Sequence, residues 1–209
     1  MTTDPAPVRA RDGRTRLLEA AERLLDERGI DGTTAAAIIQ EAGHRNATAV
    51  NYYFGKLDHL IAEVVERRAA DINERRNQLF DELEAAGAVD PRDALRGLVQ
   101  PAAELLDRPE GRRYLRLLNQ AANHPRFHDR AGFGFTTSMQ RGAAHLAPLL
   151  VDLPDGVRQT RGRYVLGMAL FALADQAWLI DNPQPDREPL GTEAFVADLV
   201  EAGLAALRA

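Results

Sequence analysis

The densest run of hydrogen-bonding side chains in this chain lies between residues 45 and 56. Arg45, Asn46, Thr48, Asn51, Tyr52 and Tyr53 follow one another closely, Lys56 comes next, and Thr34 precedes them. Guanidinium and ammonium groups neutralise phosphates, while amide and hydroxyl side chains bond phosphate oxygens or the edges of bases. A patch of this composition suits a nucleic-acid surface. An ordinary solvated helix face would carry the same residues, so the elements beneath them have to decide.

Other chemistry is thinly supplied. His124 and His128 stand four apart, but Pro125 lies between them and no carboxylate pattern supports a metal. Gly132-Phe133-Gly134 lacks the preceding strand and the following Lys-Ser/Thr of a phosphate loop. Ser138 and His145 would lie about two helical turns apart with no nucleophile turn and no third partner. The chain contains no cysteine, which removes disulfides, thiolate zinc sites and a catalytic thiol. We therefore expect no enzyme activity, no metal and no cofactor. A second set, Tyr114, Asn119, Phe127, Phe171, Asp175 and Trp178, combines aromatics with sparse polar groups, as a small-molecule cavity requires. Phe133, Phe135 and Met139, like Phe127, Phe171 and Trp178, are residues more often found in a core than in a cavity wall. Asp175 and Gln176 fall inside the most apolar helical stretch and need partners if buried.

Helices must position all of these groups. Apolar residues recur at three- and four-residue steps throughout, and no stretch alternates like a strand. The spacing predicts a mobile tail over residues 1–13 and a first helix from Arg14 to Arg28 ending on Gly29. A short helix follows, capped by Thr33 or Thr34 and broken at Gly43. A third runs from about Ala47 to Phe54, with Ala47, Val50 and Phe54 inward and Ala49 outward, where it permits close approach. A long helix should cover 57–86. Further helices should span 91–107, 109–123, 135–150, 155–181 and 192–208, the last two separated by the loop at 182–191. The fold class is all-α: a helix-turn-helix domain over 14–56 and a larger helical domain over 57–209.

The chain has 209 residues, 45% hydrophobic and 27% charged, enough to bury a core without crosslinks. Residues 1–56 carry eight basic and eight acidic side chains, so the net charge of −5 falls on the rest. Lys56 is the one lysine, and Arg9, Arg11, Arg14 and Arg16 crowd the start. The longest strongly apolar run, Tyr164 to Ala174, is short for a membrane span, and the first residues lack a signal-type apolar core. The expected location is the cytoplasm, with no membrane partner.

Two short helices around a glycine turn form the plan in which the second helix enters the major groove. Here the chain resembles a known family. RTRLLEAAERLLDERGIDGTTAAAIIQEAG and HRNATAVNYYFGKLDHLIAEVV are similar to the DNA-binding domain of the TetR family of transcriptional regulators. The stretch from Gly43 to Phe54 is one residue longer than the commonest pattern. Tyr53 stands where a histidine is usual, Asn51 where a phosphate-binding tyrosine is common, and Lys56 falls one position early.

The resemblance implies a homodimer built on helices 155–181 and 192–208, binding double-stranded DNA at an inverted repeat. It also implies repression relieved by an apolar or amphipathic small molecule in the C-terminal domain. Apolar residues around both final helices, with Gly167 and Gly203 among them, point to the same interface. Two rivals remain at this point: an interaction module whose helix-turn-helix no longer binds DNA, and a helical enzyme.

Overall fold

The computed structural model describes residues 6–127 and 136–209, and these contain nine α-helices and no strand. The chain divides into two compact units, Met1–Arg68 with Gln120–Asp129 and Ala69–Asn119 with Arg130–Ala209.

In the first unit, α1 spans Ala6–Arg28, α2 Ala35–Glu41 and α3 Ala49–Phe54, and α4 begins at Leu57. The predicted tail is thus partly helix. Alanine and arginine favour helix, and Pro7 falls in the first turn, where its missing N–H costs nothing. Residues 1–5 lie outside the described residues. Leu17, Ile30, Ile38, Leu60 and Ile61 are fully buried and hold the unit together, each contributing about 1.5–3 kcal/mol. Gly29 closes α1 at φ +67° and Gly43 forms the turn after α2 at φ +63°, backbone that a side chain would strain.

The end of α6 completes this unit. The Ile30 amide donates to Gln120 Oε1 at 3.0 Å, His124 Nε2 lies 3.0 Å from Asp31 Oδ1, and Arg126 pairs with Asp58. Phe127 and Ala121 are buried in its core. His124 is therefore occupied by Asp31. His128, Gly132, Phe133, Gly134 and Phe135 lie outside the described residues, and among those described no cluster of three metal-ligating side chains forms.

The second unit takes the remainder of α4, which runs Leu57–Ala86, then α5 (Pro91–Ala103), α6 (Pro109–Asn123), α7 (Thr137–Leu146), α8 (Asp155–Asp181) and α9 (Thr192–Arg208). Residues 104–107 and 147–150, expected as α-helix, tighten into 3-10 turns. Phe80, Tyr114, Leu106, Leu115, Leu179, Leu204 and Leu207 are its largest fully buried side chains. Arg112 and Arg116 of α6 both bond the Asp181 carboxylate at the end of α8. The loop at 182–191 answers the polar groups inside α8: Arg187 pairs with Asp175, and Gln176 Nε2 donates to the Leu190 carbonyl at 2.6 Å.

Two expectations about the last helices need correction. Phe195, Val196, Leu199, Val200, Gly203, Leu204 and Leu207 of α9 are all buried within the protomer, so its large apolar side chains are not the surplus that the sequence suggested. Gly203 serves the same packing, since a Cβ there would lie 2.6 Å from Leu95 of α5. In contrast α8, 27 residues long, contains an 18-residue stretch apolar enough to cross a membrane by length and composition alone, and 33% of that stretch is buried. The eleven-residue run read from the sequence stops at Asp175, and Gln176 to Ile180 carry the stretch on beyond that one carboxylate.

Candidate functional site

The helix-turn-helix is built from the backbone outward. Thr34 has extended dihedrals and caps α2, its Oγ1 accepting from the Ala37 amide at 3.2 Å. Thr34→Ala should cost about 1 kcal/mol, within the range of lost N-caps. Thermal unfolding would check it, and an unchanged melting temperature would remove the cap. Asn46 Oδ1 accepts from both the Thr48 amide (2.9 Å) and the Thr48 hydroxyl (2.8 Å). This side-chain turn delays the helix, so α3 starts at Ala49 and not at Ala47. The inward face shifts accordingly. Ala49 and Val50 are each 1% exposed and Phe54 is buried, while Ala47 lies on the surface. The expected roles of the two alanines are exchanged.

Thr34, Arg45, Asn46, Thr48, Asn51, Tyr52 and Lys56 are all exposed, and Tyr52 is 75% exposed. Asn46 and Thr48 are partly spent on each other. Tyr53 is the exception. It is half-buried, edge-on to His44 and Tyr52, with its hydroxyl over Gly13 of α1. It braces α3 against α1.

His44 and His59, which sequence reasoning gave no role, and Arg14 complete the brace. His44 lies 3.2 Å from the Gly13 carbonyl, and His59 Nδ1 is 3.0 Å from the Phe54 carbonyl at the end of α3. Arg14 stacks on Phe54 and pairs with Glu63. Lys56 precedes α4 and its carbonyl accepts from the amides of His59 and Leu60. A cation at a helix N-terminus opposes the helix dipole, and an anion there is favoured by both.

The second unit contains a cavity of about 440 Å³. Leu95, Leu98, Leu118, Met139, Leu166 and Leu170 form much of its wall, with Arg76 from α4 and Arg163 from α8. None of Tyr114, Asn119, Phe127, Phe171, Asp175 and Trp178 lines it. Tyr114 is core, Asn119 is half-buried on α6, and Phe127 belongs to the first unit. Asp175 is held by Arg187, and Phe171 and Trp178 are 64% and 43% exposed on the outer side of α8. Of the described aromatic and sulfur side chains read as core or cavity, Met139 is the one in the wall.

Arg76 was legible in principle: it falls four residues from both Ile72 and Phe80 on the buried stripe of α4, where a guanidinium is out of place. Ser138 and His145 are engaged elsewhere. Ser138 bonds Asn73 Oδ1 at 3.1 Å, and His145 bonds Glu84 and stacks on Phe80.

A profile described as "Bacterial regulatory proteins, tetR family" matches residues 17–64, and "Tetracyclin repressor-like, C-terminal domain" matches residues 96–206, more than half of the chain. The chain belongs to the TetR family. TetR-family architecture also appears in solved structures. A TetR-family regulator from Mesorhizobium loti is 22% identical, with TM-score 0.51 and 94% and 97% of the two chains covered. NalD, the secondary repressor of the MexAB-OprM multidrug efflux pump in Pseudomonas aeruginosa, is 20% identical with TM-score 0.54 over 94% and 96%. A TetR-family regulator from Streptomyces coelicolor is 18% identical with TM-score 0.50 over the whole of both chains. No curated protein matches the chain. As a TetR-family member the protein is a DNA-binding transcriptional regulator and not an enzyme, and the family binds DNA as dimers.

Proposed function

We propose that the protein is a cytoplasmic, ligand-responsive repressor that binds an inverted-repeat operator as a homodimer. The observation that carries this reading is the division of α3 and its turn. Ala49, Val50 and Phe54 are buried, and Arg45, Thr48, Asn51 and Tyr52 are left facing solvent together. Asn51 and Arg45 would read base edges, Tyr52 and Lys56 would hold phosphates, Thr34 would present the N-cap of α2 to the backbone, and Asn46 and Thr48 would fix the turn beside it. Tyr53, braced on α1, orients the helix and contributes little direct contact.

Dimerisation is supported by the outer side of α8. Val157, Tyr164, Phe171 and Trp178 recur every seventh residue and are all exposed, the spacing of a helix seam. Gly167 has open space where a Cβ would stand. A two-fold partner would cover this stripe with its own, which accounts for the apolar surface without a lipid phase. The cavity supplies the effector site, and α4, which begins next to Lys56 and carries Arg76 into the cavity wall, is the element through which occupancy would reach the DNA-binding unit.

A gel shift with DNA from upstream of the protein's own gene tests the core of the proposal. Retention of that fragment over random DNA is expected, and equal or no retention overturns it in favour of an interaction module. Two variants sort the contacts. Lys56→Ala should weaken binding to all sequences alike and reduce the salt slope by about 0.9. Asn51→Ala should instead lose about 1–3 kcal/mol at particular base pairs and leave random DNA unchanged. Uniform loss in Asn51→Ala would place Asn51 on the backbone.

A further inference from the structure

The cavity wall carries charge of one sign. Arg76 sits on the inward stripe of α4 between the buried Ile72 and Phe80. Its Nε–H donates to the Leu98 carbonyl at 2.9 Å and an Nη1–H donates to Asn73 Oδ1 at 3.1 Å. Both acceptors are neutral, and Asn73 Oδ1 already receives the hydroxyls of Thr136 (3.0 Å) and Ser138 (3.1 Å). A guanidinium has five N–H groups, so donors remain, and among the described residues no carboxylate pairs with them. Four other arginines packed between helices are answered: Arg68 by Glu22 and Asp26, Arg112 and Arg116 by Asp181, Arg141 by Asp81 and Glu84.

Burial pulls the Arg76 pKa from its usual 12.5 down to about 10, with no carboxylate opposing it. The group stays charged at neutral pH, so its position carries a standing desolvation cost that an anion would relieve. Arg163 is the other charged residue in the wall, and no Asp or Glu lines the cavity. The remaining wall is almost wholly apolar. At about 30 Å³ for a water-sized group, 440 Å³ holds roughly fifteen heavy atoms, far more than a small inorganic anion.

We infer that this cavity binds an amphipathic monocarboxylate, its headgroup paired with Arg76 and its hydrocarbon body against Leu95, Leu98, Leu118, Leu166 and Leu170. The inference rests on the cavity being the effector site only where it concerns switching. A cationic amphiphile would meet two guanidinium groups, and a neutral one would leave Arg76 without a counter-charge. The carboxylate satisfies both the charge and the free donors, in the bidentate geometry that arginine favours.

Calorimetric titration of the full-length protein with decanoate, 1-decanol and decyltrimethylammonium, all below micelle formation, provides the test. Decanoate should bind about 10- to 100-fold more tightly than decanol, the range of a charge-assisted pair, and the ammonium compound should not bind measurably. In Arg76→Gln the preference for decanoate over decanol should disappear, in Arg76→Lys part of it should return, and Arg163→Gln should keep it. Equal affinities of the wild type for decanoate and decanol, no decanoate binding, or an undiminished preference in Arg76→Gln would each overturn the inference. The wild-type comparison decides even if Arg76→Gln does not fold. Operator affinity measured with the same ligands separates the two readings. Decanoate that binds through Arg76 and leaves operator affinity unchanged upholds the ligand class and refutes ligand-responsive repression. A neutral amphiphile that releases the operator where decanoate does not bind does the reverse.

Discussion

Phe171→Glu is expected to turn the protein into monomers and to lower operator affinity by about 1,000-fold or more, the gap that separates specific from non-specific binding. Phe171 is 64% exposed at the middle of the α8 stripe, with Tyr164 (68%) one heptad before it and Trp178 (43%) one heptad after. In a two-fold interface the same residue occurs twice near the axis, so one substitution introduces two carboxylates into one apolar patch. The protomer core is not touched, and helical content should be retained. Light scattering at micromolar concentration reads the mass. Trp178, the single tryptophan, reads the interface: its emission should move to longer wavelength when the partner leaves. A Phe171→Glu protein that remains dimeric with an unchanged Trp178 spectrum would put the interface elsewhere. Leu199 and Leu204 of α9 serve as the contrast. They are 6% and 1% exposed inside the protomer, so a charge there should unfold the protein.

Phe80→Ala is expected to destabilise the second unit by about 3–5 kcal/mol, the range for a buried phenylalanine. That is a large share of the roughly 5–15 kcal/mol that holds a domain folded. The ring is fully buried, and two glycines make room for it. A Cβ on Gly97 would lie 3.3 Å from Phe80 Cζ, and a Cβ on Gly142 would lie 2.8 Å from the same atom and 2.6 Å from Leu98 Cγ. Gly142→Ala should therefore overpack the site and cost about 1–3 kcal/mol. The double variant should be less destabilised than the sum of the two, because the new methyl enters space that the lost ring vacates, and contacting residues couple in this way. Chemical denaturation of the four proteins gives the coupling directly, and strict additivity would show that the ring and the glycine do not share space. Leu98 also lines the cavity, so Gly142→Ala should in addition perturb ligand affinity.

Most helix boundaries were readable from residue order, because they depend on local chemistry. The range expected for α4 is the one observed, and Pro91, Pro109 and Asp155 open α5, α6 and α8 where their backbone preferences place them. Gly29 and Gly43 close α1 and α2 as the left-handed turn requires. The solvent-facing set around α3 was legible for the same reason. A short amphipathic helix has one way to hide Val50 and Phe54, and Arg45, Asn51 and Tyr52 then face outward. At the start of α3 local reading failed because a side-chain contact intervened. Asn46 holds Thr48 in a turn and moves the start of α3 by two residues, which exchanges Ala47 and Ala49.

Periodicity along one helix states that a face is apolar and is silent on what covers it. The apolar residues of α9 and the exposed stripe of α8 look alike in the sequence, yet packing against α5 consumes the first and leaves the second open. Tyr114, Asn119, Phe127, Phe171, Asp175 and Trp178 were grouped by type, and long-range packing disperses them to the core, to a half-buried helix side, to the other unit and to the surface. The cavity forms from aliphatic residues of several helices that carry no individual signature, joined by an arginine that is unremarkable until its neighbours on α4 prove to be buried. Hydrogen bonding and dihedral preference act between near neighbours in the chain and are written in their order. Burial is a sum over residues distant in the chain, and it takes its value only when the helices meet.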